Sequence, residues 1–181
     1  VRIERPGHPA IVLEKTGNEW ALTAPVQARA NRFNIEGLLR IVTAPGTTRF
    51  PAVAQDLAKF GLDQPQSRVR FGSEEIVFGS LHPLNSRIYV QHASEIVLIP
   101  AHYLSSAVYP YNNFIDSRLF EETRKLTAIK LPDFTLAQNN GTWGKQPPDK
   151  QLTSDRLNEF AAEWQNARAL SVEKYAGKEI L

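Results

Sequence analysis

Sulfur is missing from this sequence altogether, because its 181 residues include no cysteine and no methionine. Without cysteine the chain has no disulfides, no thiolate metal ligands, no iron–sulfur ligands and no cysteine nucleophile. Without methionine the first residue, Val1, is not a natural start, so we expect that an upstream segment was removed. A signal peptide or a membrane anchor is the natural candidate for that segment.

The chain also lacks a marked excess of charge and any long apolar run. Lys and Arg number 21 and Asp and Glu 19, and the net charge of +2 is too small to favour nucleic acid or an anionic membrane as a partner. The longest apolar runs, such as residues 96–99, have the length of a strand, well short of the roughly 18 residues of a membrane-spanning helix. With 42% hydrophobic residues, the sequence predicts a soluble folded domain.

The first recognisable pattern is a β-hairpin followed by a helix. Short β-rich runs flank the turn at Gly17-Asn18, and Trp20 lies in the second run, which Pro25 ends. Apolar residues then recur at i, i+3, i+4 and i+7, which predicts a helix from Asn31 to Val42.

The same order returns near the C-terminus. Trp143 aligns with Trp20 and Pro148 with Pro25 without a gap, and a second amphipathic helix follows after a slightly shorter loop. This agreement predicts an internal duplication. We interpret the two tryptophans as core plugs beside the amphipathic helices, with ligand-stacking platforms as the alternative.

The section between the repeats predicts an antiparallel meander with short helices. A short helix over Ala54–Phe60 is stopped by Gly61, and four strands between residues 68 and 99 are joined by tight turns. A charged helix is predicted over Asp116–Lys125, in which Glu121 and Lys125 have the favourable i, i+4 spacing.

Short strands with tight connections and few helices predict the α+β class, with antiparallel sheets and helices on one face. We predict one duplicated domain over residues 1–181. Repeat one covers about residues 1–50, the central meander and helices about 51–125, and repeat two about 126–175.

Three groups of residues carry a resemblance to a known family. The first runs from Ile3-Glu4-Arg5-Pro6 through Trp20 to Pro25, the second is the helix and Gly-Leu-x-x-Pro turn over residues 56–65, and the third is Gly79 with residues 86–90. Together they resemble the bacterial family known as domain of unknown function 4340 (DUF4340), over nearly the whole chain.

The resemblance carries expectations about location and partners. Members of that family typically follow one N-terminal membrane-spanning helix, and many are encoded beside components of gliding-motility-type ABC transporters. This implies a periplasmic or other extracytoplasmic domain, anchored to the inner membrane through a segment absent from this chain. It also implies a non-catalytic auxiliary role beside a permease/ATPase complex, and the family offers no established catalytic residues to transfer.

The residues themselves show no catalytic, metal or cofactor constellation. The four histidines have no HxH or HExxH spacing, and Gly-rich phosphate loops and G-x-S-x-G are absent. The S-x-x-K match at Ser171 and Lys174 lacks its companion motifs, so we interpret it as chance. We therefore predict a protein that is not an enzyme, with no metal and no cofactor; a hydrolase whose site is assembled from distant residues is a less favoured alternative.

The loop that we select as the candidate binding site contains His82, Asn85 and Arg87. It links two hairpins and places an imidazole, an amide and a guanidinium close together in sequence. Loops held on a rigid sheet are common binding sites, although a plain polar connection explains the same residues. The hypothesis of a ligand- or partner-binding loop requires these side chains to line one concave surface. An interaction module is the favoured function, and a small-molecule or glycan-binding domain is the alternative.

Overall fold

The structure is a computed structural model that describes residues 1–121, 123–149, 151–172 and 177, without the side chains of Ala54 and Gln55. The chain divides into two compact units. Unit one comprises Val1–Asp116 together with the described residues Val172 and Gly177, and unit two comprises Ser117–Ser171. The predicted division into two repeats and a central section remains a prediction, and the last residues of repeat two, 173–175, lie outside the described residues.

Unit one is built on a nine-stranded sheet whose neighbouring strands all pair antiparallel. The strands are β1 (Arg2–Glu4), β2 (Ile11–Thr16), β3 (Glu19–Ala24), β4 (Ala28–Arg29), β5 (Arg49–Pro51), β6 (Ser67–Phe71), β7 (Glu74–Leu81), β8 (Arg87–His92) and β9 (Glu95–Pro100). Their order is β4-β3-β2-β1-β6-β7-β8-β9-β5. The predicted meander is β6 to β9, and β1 joins it to the first hairpin within one sheet.

The helices of unit one are short. They are α1 (Arg32–Leu39) and α2 (Tyr103–Val108), with 3₁₀ segments at Arg40–Thr43, Ala54–Phe60 and Tyr111–Phe114. Helix α1 begins where the sequence predicts, because the Asn31 side chain accepts a hydrogen bond from Asn34 N at 3.3 Å, but its last predicted turn is 3₁₀. Gly61 ends the segment Ala54–Phe60 with a left-handed φ of 66°, as a glycine tolerates best.

The two faces of this sheet carry two apolar clusters. The main core lies with α1 and α2 and contains Ile3, Ile11, Leu13, Leu22, Ile35, Leu38, Ile41, Val69, Phe78, Ile88, Val90, Val97, Ile99, Ala107, Phe114 and Ile115. A smaller cluster is formed by Leu62, Val77 and Ile96 with half-buried rings around them. Phe78 belongs to the main core and its neighbour Val77 to the smaller cluster. Because successive strand residues point to opposite faces, the two clusters lie on opposite sides of the sheet. The 3₁₀ segment Ala54–Phe60 packs on the smaller cluster and is the exception to the prediction of helices on one face.

Unit two is a smaller sheet with one longer helix. Strands β10 (Ala128–Lys130), β11 (Thr135–Asn139) and β12 (Thr142–Gln146) form an antiparallel sheet in that order, and α3 (Ser154–Gln165) packs against β12. Its core is Ile129, Leu136 and Ala161. The α+β class predicted from the sequence is therefore confirmed in both units.

The charged helix predicted over Asp116–Lys125 is wrong. The described residues of this range form bends and a strand-like bridge at Arg118, held by bonds from Leu119 N to Ala167 O (2.9 Å) and from Ala169 N to Ser117 O (2.7 Å). Glu121 pairs with Arg124, Oε2 to Nε at 2.9 Å, instead of with Lys125. An i, i+4 pair stabilises a helix by only about 0.2–0.5 kcal/mol, so this backbone pairing outweighs it.

The two predicted repeats share an order of elements but differ by one residue in register. A bulge beside Val12 inserts one extra residue into β3, whereas the pairing of β11 with β12 is regular. The register therefore favours Pro147, rather than Pro148, as the counterpart of Pro25. The duplication itself remains a prediction.

The described α-helices are 6 to 12 residues long. None of these helices combines the length with the apolar character that crossing a bilayer requires.

Candidate functional site

The predicted binding loop joins β7 to β8, and backbone hydrogen bonds hold its shape. His82 N donates to Arg87 O at 2.8 Å, and Arg87 N donates to Asn85 O at 2.9 Å. Ala101 N donates to Ser86 O at 2.9 Å and ties the loop to the end of β9. We call residues 81–87 the β7–β8 loop; it is a short loop fixed to a large sheet.

A row of rings begins in this loop and continues across the face of the smaller cluster. The ring centroids of His82 and Tyr89 are 5.5 Å apart, those of Tyr89 and Phe60 4.8 Å, and those of Phe60 and Phe50 5.1 Å. The Nδ1 atom of His82 accepts a hydrogen bond from Leu84 N at 3.2 Å. In the neutral ring the proton therefore lies on Nε2, which can donate to a ligand or partner.

Arg87 lies on the same face as this row. It precedes Tyr89 by two residues in β8, and strand residues two apart share a face. Its Nη1 atom is buried and has no hydrogen-bond partner within the described part of the chain. A buried donor without a partner costs about 1–3 kcal/mol, and more when it is charged. Satisfying this donor would take an oxygen acceptor such as a carbonyl or a carboxylate.

Two leucines of the loop are exposed, and sequence reasoning missed them. Leu81 is 56% exposed and Leu84 is 89% exposed. From sequence alone a leucine is a core candidate. The sequence feature that pointed to exposure was Pro83, which lies between the two leucines and cannot continue a central strand. Asn85 is exposed, and the hydrogen bond described for it is made by its backbone oxygen. The structure thus brings His82 and Arg87 to one face, while the shared concave surface remains a prediction.

The other histidines lie apart from this loop. His92 Nε2 is 2.8 Å from Glu74 Oε2, and the ring of His102 stacks on its neighbour Tyr103 at 4.3 Å. Across the described residues, no group of three or more His, Asp or Glu side chains is placed to hold a metal ion. Lys174 of the S-x-x-K match lies outside those residues.

The groups with shifted pKa values lie on β1, next to it in the chain, or on its paired strand β6. A hydrogen bond from Arg2 lowers the pKa of Glu4, and nearby arginines add to the effect. Burial lowers the pKa of Arg5, whose Nη1 donates to Val108 O at 2.9 Å. These shifts reflect structural ion pairing and burial, away from the β7–β8 loop.

Unit two holds a second candidate, a cavity of about 550 Å³ beside α3 and β12. Its lining combines one acid, four basic residues, two rings and four amides among others: Glu121, Arg118, Arg124, Lys125, Arg168, Phe120, Trp143, Gln138, Asn158, Gln165 and Asn166. Trp143 is half-buried and also packs against the core of unit two. The indole therefore contacts the core, as predicted, and also lines the cavity. Trp20 packs against the main core of unit one.

A family model described as a domain of unknown function, DUF4340, matches residues 20–179. The matched range includes both the β7–β8 loop and the cavity of unit two. Comparisons with curated proteins and with solved structures find no match.

Proposed function

Because the chain belongs to the DUF4340 family, we propose that it is a non-catalytic interaction module that serves an ABC-type transport or motility complex. Its place is the extracytoplasmic side of the bacterial inner membrane, and its partners are components of the permease/ATPase complex. The observation that supports an interaction role is the β7–β8 loop, where two exposed leucines accompany a buried guanidinium nitrogen that has no described partner.

The chemistry of the loop resembles that of the energetic centre of a protein interface. Such centres combine apolar anchors with desolvated charged groups, especially arginine. Full burial of an exposed leucine stabilises a complex by about 1.5–3 kcal/mol, before the costs of association. A partner carbonyl or carboxylate would also satisfy Arg87 Nη1. A partner segment with an apolar side chain next to such an oxygen fits both requirements.

The test is capture of transporter components from native membranes by the full chain. We expect permease or ATPase subunits to be recovered, and Leu84→Ser or Arg87→Gln to reduce their recovery at least about tenfold. Phe33→Ser is the matched control, since Phe33 is also a large apolar residue, 78% exposed, but lies on α1. Recovery of no transporter component, or equal recovery with Leu84→Ser, would contradict the proposal.

A small-molecule or glycan-binding domain is the second candidate function. The cavity of unit two favours it, because about 550 Å³ lies within the range of small-molecule sites and Trp143 supplies an aromatic wall. A ligand of this cavity should protect the amides of β11, β12 and α3 from hydrogen exchange, whereas a transporter partner should protect those around β8.

A further inference from the structure

We propose that the outer edge of β10 binds an extended segment of a partner protein as an added antiparallel strand. The segment carries an apolar side chain opposite Ile129 and an acidic side chain opposite Lys130. This inference goes beyond the proposed function, because it concerns a strand edge of unit two and not the β7–β8 loop.

The hydrogen bonds of unit two define which backbone groups of β10 point away from its sheet. Thr127 O accepts a hydrogen bond from a β11 amide at 2.8 Å, and Leu131 N donates one to the residue just before β11 at 2.9 Å. Residues of an antiparallel strand bond alternately to one side and the other. Ile129 therefore bonds to β11, while the N–H and C=O groups of Ala128 and Lys130 point outward. No strand among the described residues pairs with this edge.

Unit one contains a strand in the same position that has a neighbour on both sides. Strand β1, like β10, precedes a hairpin and pairs antiparallel with its first strand. Both strands have three residues. Val1 O accepts from Leu13 N of β2 at 2.9 Å, so by the same alternation Arg2 and Glu4 bond to β6 on the other side. A strand of this length can therefore hold a second neighbour.

The pairing of β1 with β6 indicates which side chain suits the centre of the added strand. Val69 of β6 lies opposite Ile3, and both side chains are fully buried. Ile129 has the place of Ile3 in β10 and belongs to the core of unit two. Because residues directly opposite each other share a face, the residue opposite Ile129 would also point toward that core. An apolar side chain suits this position.

The charge at the edge favours an acidic side chain in the next position. In unit one Glu4 lies directly opposite Arg68, so opposite charges meet across the edge of β1. Lys130 has the place of Glu4 in β10, is exposed, and forms no ion pair with a described side chain. Opposite charges at facing positions stabilise a strand pair, and like charges destabilise it. The residue opposite Lys130 is therefore Asp or Glu.

A second copy of this chain meets these requirements less well than a partner segment. Two β10 strands paired antiparallel about Ile129 would place each Lys130 opposite an Ala128, which supplies no acid. The edge of β12 presents no comparable charge, because Lys145 already lies 3.5 Å from Asp149 Oδ2. Charge complementarity therefore favours an acidic partner segment at the edge of β10.

The test uses the full chain and the synthetic peptide acetyl-Ser-Glu-Val-Thr-Phe-amide. This peptide is the sequence of β6 with its first arginine replaced by glutamate and its second by threonine. In the register of β6, its glutamate lies opposite Lys130 and its valine opposite Ile129. We expect saturable binding in an NMR titration. Hydrogen exchange should slow at the amides of Ala128 and Lys130 and stay unchanged in the β7–β8 loop.

Methylation of the peptide backbone tests the strand pairing. The glutamate N–H faces β10, so its methylation should weaken binding at least about tenfold. The valine N–H faces away, and its methylation is the matched control, which should change the affinity by less than about threefold. Ala128→Pro removes an outward N–H from β10 and should also weaken binding, since an edge strand tolerates proline on its open side.

An exchange of charges tests the recognition of the acid. Lys130→Glu should weaken binding of the glutamate peptide about three- to tenfold. A peptide with lysine in place of the glutamate should bind this variant more tightly than the unmodified chain. Lys15→Glu is the matched control, because Lys15 is also an exposed strand lysine but lies on β2, which has neighbours on both sides. This variant should bind the glutamate peptide with unchanged affinity.

Several results would overturn the inference. They are no binding of the glutamate peptide, no slowing of exchange at Ala128 and Lys130, equal weakening by the two methylated peptides, or no rescue by the exchanged charges. Self-association of the chain through β10, detected by light scattering without peptide, would replace the partner by a second copy. If circular dichroism shows Ala128→Pro unfolded, the methylated peptides test the pairing on the unmodified chain. Failure here leaves the interaction role standing, since that role is tested by capture of transporter components through the β7–β8 loop.

Discussion

A hairpin followed by a helix occurs in both units, and the two settings bury it differently. In unit one, β2 and β3 lie within a nine-stranded sheet, and Leu13 and Leu22 are fully buried. In unit two, the sheet ends with β12, and Lys145 stands opposite Leu136 where Leu22 stands opposite Leu13. The same local pattern therefore packs within a large core in unit one, whereas in unit two it borders a cavity.

The side chain of Lys145 lies beside the smaller core of unit two. Its Nζ lies 5.4 Å from the centre of the Phe134 ring and 3.5 Å from Asp149 Oδ2. A lysine can cover apolar surface with its stem while its ammonium stays near water. A lysine in this position is compatible with the partly exposed core of unit two. Burying its charge inside the core of unit one would cost free energy.

The largest expected difference between the units is in the free energy of unfolding that is lost when the equivalent leucines, Leu13 and Leu136, are replaced by alanine. Leu13→Ala should cost about 3–5 kcal/mol and Leu136→Ala about 2–3 kcal/mol, because the half-buried neighbours of Leu136 can collapse into the space. Hydrogen exchange of the β2–β3 and β11–β12 amides measures each unit separately. Equal losses would show that the smaller core is packed as rigidly as the larger one.

The next difference concerns a glycine in each sheet. A Cβ at Gly79 on β7 would clash with the carbonyl oxygen of Phe60, whereas at Gly144 on β12 the nearest atom lies 4.0 Å away. Gly79→Ala should therefore cost about 1–3 kcal/mol. Gly144→Ala is the matched control and should stabilise unit two by about 0.5 kcal/mol. Urea denaturation checks both, and a tolerated Gly79→Ala would refute the close approach of these two segments.

The helix caps should behave alike in the two units. Asn31 and Thr153 each accept a hydrogen bond in the first turn, from Asn34 N at 3.3 Å and from Arg156 N at 3.4 Å. Replacing either by Ala should cost about 1 kcal/mol, while Asn31→Asp and Thr153→Ser should keep most of the stability. Amide exchange in α1 and α3 measures the effect, and a loss in only one helix would break the parallel between the units.

The smallest effect is a pH dependence in unit one. The pKa of Glu4 is lowered chiefly by the Arg2 hydrogen bond, so its stabilisation is present above the unfolded pKa and is lost as pH falls through the folded pKa. Because Glu4 is partly exposed and its partner Arg2 is exposed, solvent screens the pair and we expect about 0.5 kcal/mol or less. Arg2→Gln should raise the pKa of Glu4 measured by NMR, and Arg156→Gln in unit two should leave it unchanged. If Arg2→Gln leaves the pKa of Glu4 unchanged, this assignment is wrong.

Only one of the two candidate sites could be predicted in part from the sequence. The loop with His82 and Arg87 could be identified because its residues are adjacent, whereas the exposure of Leu84 depends on which face of the loop meets solvent. The cavity could not be identified, since Arg124, Trp143 and Arg168 come from three separate segments.

Local chemistry determined the hairpins, the cap at Asn31 and the stop at Gly61, because turn and cap preferences depend on a few neighbouring residues. Tertiary structure alone decided that the segment after Asp116 pairs as a strand-like bridge, and that one hairpin joins a nine-stranded sheet while the other stops at three strands. Those outcomes depend on contacts between residues far apart in the chain, whose energies exceed the few tenths of a kcal/mol that local pairs contribute.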